Sequence, residues 1–320
     1  IQVHPFLEIF QVALIGTLTG DALGMSVEGW TGARIRREHG VIDSMLEARL
    51  GAGTYTDDTE MMVALAETLC QNRCIDPVFL SKSLINNFNE NRGYGVTTVI
   101  VLNFLRLNNN WEQAAFSHYP DGSMGNGACM RIAPVGVLFH DRPEELIKQA
   151  TKSAELTHGH RLAIEGAKLQ AMAVAGATMT PACQDIGAKF VEDLLKDIIE
   201  PEYKISLNKL LGLLSSPHDA EQITKILGSE MLALRSVPAA IYMFVRFNGD
   251  FKKIVSQAVS LGGDTDTVGA MAGAMAGAHL GLKSIPDEWF TMLENGAKGR
   301  DYIINLGEQL HNVWQLGKVG

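Results

Sequence analysis

The chain has 320 residues, 46% hydrophobic and 20% charged, which is the composition of a globular protein rather than a disordered or fibrous one. It carries 27 Lys and Arg against 36 Asp and Glu, a net charge of −9, so it lacks the basic footprint that phosphate-dominated nucleic-acid binding requires. Its length suffices to bury most of its apolar surface without staples.

In chain order, Phe6, Leu7, Phe10 and Leu14 recur at helical spacing and predict a first helix. The chain begins at Ile1 rather than Met, which leaves room for a preceding segment, and no signal peptide is read. Gly20-Asp21-Ala22-Leu23-Gly24 is expected to follow that helix, with Asp21 bonded to a neighbouring helix end. Glu28, between Gly24 and Gly29, is expected on a mobile loop, where a carboxylate suits gating or acid–base work. Val41–Met45 is the best strand candidate.

Thr56-Asp57-Asp58-Thr59 follows a glycine-rich turn and leads into an apolar helical pattern. Helix capping takes one such residue, not four, and clustered hard oxygens suit Mg²⁺, Mn²⁺ or Ca²⁺. Cys70 and Cys74 share a helical spacing, but no second pair or histidine completes a zinc set. With Cys129 and Cys183 they are expected to be reduced core thiols of a cytoplasmic protein. Asp76-Pro77 opens a helix through Phe79, Leu80, Leu84 and Phe88, the Asp as cap and the Pro in the first turn. Gly93-Tyr94-Gly95 offers a stacking ring between two glycines.

Gly122-Ser123-Met124-Gly125-Asn126-Gly127 feeds a helix expected over 128–138, a ready anion site. It lacks the Gly-Lys-Ser/Thr of a Walker loop and the preceding strand of a dinucleotide fingerprint, so a diphosphate or ribose cradle remains. Arg131 either serves that cradle or makes a structural ion pair. Asp141-Arg142-Pro143 opens another helix. In Thr157-His158-Gly159-His160 no third nitrogen or sulfur ligand accompanies the histidines, so His158 reads as a hydrogen-bonding pocket residue rather than a zinc ligand. A long helix is expected from His160 to Met179, and Pro286-Asp287-Glu288 opens one near the C-terminus.

Gly262-Gly263-Asp264-Thr265-Asp266-Thr267 repeats the theme of Asp and Thr at a helix start. Together the two clusters supply Thr56, Asp57, Asp58, Asp264, Asp266 and Thr267, enough oxygen donors for a pair of Mg²⁺ ions with waters completing the shells. The run after the second cluster, Val268–Leu282, is shorter than the roughly 20 residues of a membrane span. Within it Gly269, Gly273, Gly277 and Gly281 recur every fourth residue, at about 1 kcal/mol each relative to Ala, which implies a buried helix that others approach closely. Pro181–Asp185 and Ser215–Asp219 are too short to be linkers. The expected fold is all-α, one compact domain over 1–320.

GDALGMSVE at 20–28, TYTDDTEM at 54–61, RGYG at 92–95, GSMGNGACMRIAPVG at 122–136, LTHGH at 156–160 and SLGGDTDTVGAMAGAMAGAHLG at 260–281 together resemble the ADP-ribosylglycohydrolase family, in its order and over most of the chain. The resemblance implies a Mg²⁺-dependent hydrolase that removes ADP-ribose from modified proteins by cleaving at the ribose C1″ carbon, releasing ADP-ribose, with no nucleic-acid or membrane partner. It implies two Mg²⁺ ions, Mn²⁺ being a substitute, held by Thr56, Asp57 and Asp58 from one side and Asp264, Asp266 and Thr267 from the other. Gly95, Gly125, Asn126 and His158 fall where the family holds ADP-ribose, and Glu28 falls on a loop proposed to gate or assist catalysis. Asp57 or a neighbouring ligand carboxylate is the expected proton acceptor. After Glu28 comes Gly29-Trp30 where many members carry an aromatic directly, which puts the role of Glu28 in question more than the metal ligands. The GDALG-x-x-VE stretch is similar to that of arginine-directed members; serine-linked or polymeric ADP-ribose is the alternative, as is a non-catalytic or toxin-neutralising relative.

Overall fold

The structure, a computed structural model, describes residues 5–318, so Ile1 lies outside the described residues. The first helix, Pro5–Gly24, is wider in its burial than its stripe predicts: every residue from 12 to 24 is buried. Buried Thr17 and Thr19 satisfy their hydroxyls on their own helix, donating to the Ala13 carbonyl at 3.1 Å and the Ile15 carbonyl at 2.7 Å. By length and composition the stretch Phe6–Val27 would cross a membrane, but here the surrounding bundle covers most of it. A helix apolar on all sides belongs at the centre of a bundle.

Its neighbour is the glycine-striped helix Thr265–Leu280, running antiparallel against it. A Cβ on Gly20 would stand 1.9 Å from the Gly269 carbonyl oxygen, one on Gly16 would stand 2.0 Å from that of Gly273, and one on Gly277 would stand 2.2 Å from that of Val12. The two backbones therefore touch, and only glycine allows it. Gly281 ends this helix, so the stripe has three helical members rather than four. Helices Asp57–Asn72, Arg161–Met179, Ala233–Arg246, Phe251–Val259 and Arg300–Leu316 surround the pair.

The expected all-α fold holds: among the described residues there is no strand, only isolated bridges at Thr31–Gly262 and Gly125–Leu232. Val41–Met45 is irregular because burial falls on Ile42 and Met45, three apart rather than two, and the Ile42 amide donates to Ser260 Oγ at 2.9 Å instead of to a ladder. The helix expected over 128–138 splits into Gly127–Met130 and Ala133–Leu138. Pro134 is the cause, since it has no N–H to give to the turn before it and sits instead in the first turn of a new helix.

Asp76 caps as expected, accepting from the Val78 and Phe79 amides. Asp141 does not cap: it accepts from the Trp314 indole, and Arg142 stands at the cap position. The GDALG segment does not follow the first helix but forms its last turn. Cys129 is buried and Cys70 half-buried, but Cys74 and Cys183 are exposed rather than in the core. The helix stops at Asn72 with Arg73 left-handed behind it, which removes Cys74 from the face it was expected to share.

Candidate active site

The start of helix Asp57–Asn72 needs its free amides satisfied, and two residues do this. Thr56 accepts from the Asp58 amide at 3.4 Å. Asp21, rising from the last turn of the first helix, accepts from the Thr56 amide at 3.0 Å, the Thr59 amide at 3.0 Å and the Thr59 hydroxyl at 2.5 Å. This is the helix-end role expected for Asp21. Full burial pushes its carboxyl up to about 6, against the pull of these bonds. With capping done by Thr56 and Asp21, the Asp57 and Asp58 carboxylates are left to face a cleft.

The second cluster is delivered by a tight turn. Gly262 and Gly263 adopt φ of +83° and +80°, which favour glycine. The turn is stitched to the Glu28 segment: the Gly29 amide donates to the Gly263 carbonyl at 2.8 Å, and the Gly263 amide donates to the Trp30 carbonyl at 2.8 Å. The Asp264 amide donates to the Ser229 carbonyl at 2.8 Å, and the Thr265 hydroxyl donates to the Gly24 carbonyl at 2.8 Å. Glu28 is thus flanked by backbone bonded into the Asp264 turn, not carried on a free loop. Carboxylate oxygens of Glu28, Asp264 and Asp266 lie within 4.8 Å of one another.

Glu28, Asp57, Asp58, Asp264, Asp266 and Thr267 line one cleft of about 940 Å³. Thr56 lies behind it, donating its hydroxyl to Asp58 Oδ2 at 3.2 Å. Burial first, then the charges of Asp21 and the neighbouring acids, holds Asp57 and Asp58 well above the usual carboxylate range. Asp266 is raised the same way, by burial and then by Asp58 and Asp264. Burial also raises Asp264 and Glu28, the latter helped by Asp264 and opposed by Arg49. Asp58 Oδ1 is buried and accepts no hydrogen bond. Converging carboxylates, an orphaned buried oxygen, and, among the described residues, Arg49 alone as a paired cation, at 3.3 Å from Glu28, fit a divalent cation with hard oxygen ligands.

The far side of the cleft is the glycine-rich loop, which the Asn126 amide and the Ala233 amide pin to Met231 and Met124 carbonyls at 2.9 and 3.0 Å. The Asn126 side chain donates to Asp264 Oδ2 at 2.6 Å and to Ser236 Oγ at 3.0 Å, tying this loop to the acidic cluster. Gly125 and Gly127 lie against the His158 ring, where a Cβ on Gly127 would stand 2.7 Å from Cε1. Arg131 neither reaches the loop nor pairs with a carboxylate. It is fully buried, donating to the Ser153 carbonyl at 2.5 Å and to Thr157 Oγ1 at 3.0 Å, and burial lowers it to about 10. Thr157 Oγ1, already accepting from Arg131, is free to donate to His158 Nδ1 at 2.8 Å, which leaves the proton on Nε2. Burial and then Arg131 lower His158 to about 3, so it is a neutral donor. His160 caps its helix, accepting from the Leu162 amide.

The cleft gathers every site residue expected from sequence except Thr56. Sequence reasoning missed Ser236, which anchors Asn126 across 110 positions, and Arg49, a lone arginine in an irregular segment. Neither carries a local pattern. Glu60 was also passed over, although a buried acid one turn beyond Thr56-Asp57 is a usable signal.

The sequence profile of the ADP-ribosylglycohydrolase family matches residues 4–319. The ADP-ribosylhydrolase ARH3 of Homo sapiens is 30% identical, the alignment covering 97% of this chain and 94% of that protein. Its Danio rerio counterpart is 31% identical, over 97% and 92%. A solved structure described as an ADP-ribosylglycohydrolase-related protein complex superposes with a TM-score of 0.78 at 27% identity, over 97% of this chain and 99% of its own.

Proposed function

This chain belongs to the ADP-ribosylglycohydrolase family and is a glycosyl hydrolase, and from that premise we propose that it is a Mg²⁺-dependent hydrolase of ADP-ribosylated protein side chains, releasing ADP-ribose. The observation that carries this reading is the convergence of Asp57 and Asp58 with Asp264 and Asp266, some two hundred positions apart, on one cleft beside Glu28. Thr56, Asp57, Asp58, Asp264, Asp266 and Thr267 would hold two Mg²⁺ ions, or Mn²⁺ in their place. Bound there, the cations would supply Lewis acidity toward the ribose hydroxyls and lower the pKa of water.

The chain's own residues do the rest. His158 donates from Nε2 toward the substrate, while Gly95 and Gly125 let backbone approach it closely. Asp57 accepts a proton as water adds to C1″ and the C1″–nitrogen bond breaks, and that proton passes to the leaving nitrogen. The surrounding carboxylates stabilise the oxocarbenium-like state between. Glu28, paired with Arg49 at 3.3 Å and held beside Asp264 and Asp266, assists the acid–base chemistry rather than gating the cleft. The likeness of the GDALG-x-x-VE stretch to that of arginine-directed members sets arginine-linked ADP-ribose ahead of the serine-linked and polymeric forms. Four free cysteines are in keeping with work in the cytoplasm.

A hydrolysis panel of arginine-, serine- and poly-linked ADP-ribose, with Mg²⁺ and with chelator, tests the reading. Turnover with Mg²⁺ and its loss on chelation are expected, fastest on the arginine linkage. If Asp57→Ala and Asp264→Ala both keep the full rate with Mg²⁺ present, the metal mechanism is wrong. Tight ADP-ribose binding with no turnover on any linkage would make the chain a binder instead.

A further inference from the structure

Glu60 stands on the first turn of the helix that carries Asp57 and Asp58, yet its carboxylate points away from the acidic cluster and is buried, at 6% exposure. Its Oε1 accepts two hydrogen bonds from one incoming segment: from the Asn89 amide at 2.8 Å and from the Tyr94 hydroxyl at 2.7 Å. Its Oε2 faces Arg92 Nε at 3.7 Å. One carboxylate therefore meets three residues of the segment 89–94. Beyond it, Tyr94 and Gly95 line the cleft, and Gly95 starts the next helix, Val96–Asn108.

The other ends of the segment are fixed as well. Arg92 makes a two-pronged pair with Glu294, each contact 2.8 Å, donates to the Tyr55 carbonyl at 2.8 Å, and lies 3.8 Å over the Tyr55 ring. Tyr55 immediately precedes the Thr56-Asp57-Asp58 turn. The Tyr94 ring packs edge-on to Phe88, centroids 4.7 Å apart. Tyr94 is thus not a free stacking ring: its hydroxyl is committed to Glu60 and its ring packs against Phe88, while the residue also lines the cleft.

We infer that Glu60 is a positioning residue that holds the Tyr94–Gly95 wall of the cleft in fixed register with the Asp57–Asp58 turn, so that the acidic cluster and the substrate wall form one rigid unit. The inference rests on the proposed ADP-ribose site. A wall set at the right distance beforehand spares the ordering of that segment on binding, so losing the tether weakens binding before it slows chemistry.

The test is calorimetric titration of ADP-ribose with and without Mg²⁺, together with steady-state kinetics, on the parent, Tyr94→Phe, Glu60→Ala and Glu60→Gln. Tyr94→Phe and Glu60→Ala are expected to raise Kd and KM about tenfold or more, the worth of a charge-assisted bond, with kcat within a factor of about three. Glu60→Gln keeps an acceptor oxygen but not the charge and should recover part of the loss, lying between Glu60→Ala and the parent, with kcat unchanged. Mg²⁺ affinity, titrated separately, should stay at the parent value. Kd and KM within about twofold of the parent in Tyr94→Phe, which deletes one hydroxyl and no packing, would overturn the inference even if Glu60→Ala fails to fold. So would a fall in kcat with KM unchanged. A parent that binds no ADP-ribose would instead overturn the proposed function itself.

Discussion

Gly273→Ala asks whether two backbones in contact, rather than side-chain packing, hold the centre of this fold. In an isolated helix the change is favourable by about 1 kcal/mol, because alanine has the better helix propensity. Here the new Cβ would stand 2.1 Å from the Gly16 carbonyl oxygen, against an ordinary contact of 3.4 Å or more, so the helices must part by about 1.3 Å. The clashing atom is backbone within the buried stretch 12–24 of the first helix and cannot swing aside. Overpacking of this kind costs about 3 kcal/mol at the upper end of its usual range, so the net loss is about 2 kcal/mol even after the propensity gain.

Parting the helices also moves function. The Thr265–Leu280 helix begins at the Asp264 turn, and the first helix ends beside Asp21, which holds the Thr56 turn. Gly212→Ala is the matched control: Gly212 lies within helix Pro201–Leu214, and its Cβ would meet nothing within 4 Å. Denaturant unfolding of both variants should show opposite signs, Gly212→Ala stabilised by up to about 1 kcal/mol and Gly273→Ala destabilised. ADP-ribose affinity should fall only in Gly273→Ala. A Gly273→Ala protein as stable as the parent would refute the reasoning, because it would mean that the helices are not in contact where the geometry puts them.

Two further outcomes follow from the acidic cluster. Asp57, Asp58 and Asp266 are held above the usual carboxylate range, so the metal-free folded protein keeps protons that the unfolded chain releases, and these groups lower its stability as pH rises through that window. The gain in melting temperature on adding Mg²⁺ to chelated protein should therefore be larger at about pH 8 than at about pH 5, and equal gains would count against a metal among these carboxylates. Asp21→Asn places an amide N–H among the three groups that now donate to the carboxylate. It should cost about 2–4 kcal/mol in denaturant unfolding and weaken Mg²⁺ binding, and parent values in both would remove Asp21 from its supporting role.

Much of the site is legible in the sequence because it is local. Asp57-Asp58 and Asp264-Thr265-Asp266 each exceed what capping a helix needs, and the glycines around them announce close approach. Helix starts at Asp76 and Pro143 are legible for the same reason, although Asp141 was drawn away by the Trp314 indole. What lies across the chain is not legible. Asn126 lines the cleft, and the ties of its side chain to Asp264 and Ser236, far along the chain, leave no local trace. Arg131 was expected at the loop or in an ion pair, and it is buried against Ser153 and Thr157. Both outcomes depend on which helix packs nearby.

Local patterns carry the elements and the chemistry: helices from periodicity, clustered acids at two helix starts, and a small-residue stripe that demands a close neighbour. Which neighbour that is emerges only from the packing. Contact of the first helix with the striped one, backbone against backbone, brings Asp21 beneath the Thr56 turn and Gly24 against Thr265. The physical reason is range. Propensity and capping act over one helical turn, whereas a site built from residues 28, 57–58 and 264–267 exists only once burial has fixed those turns against one another.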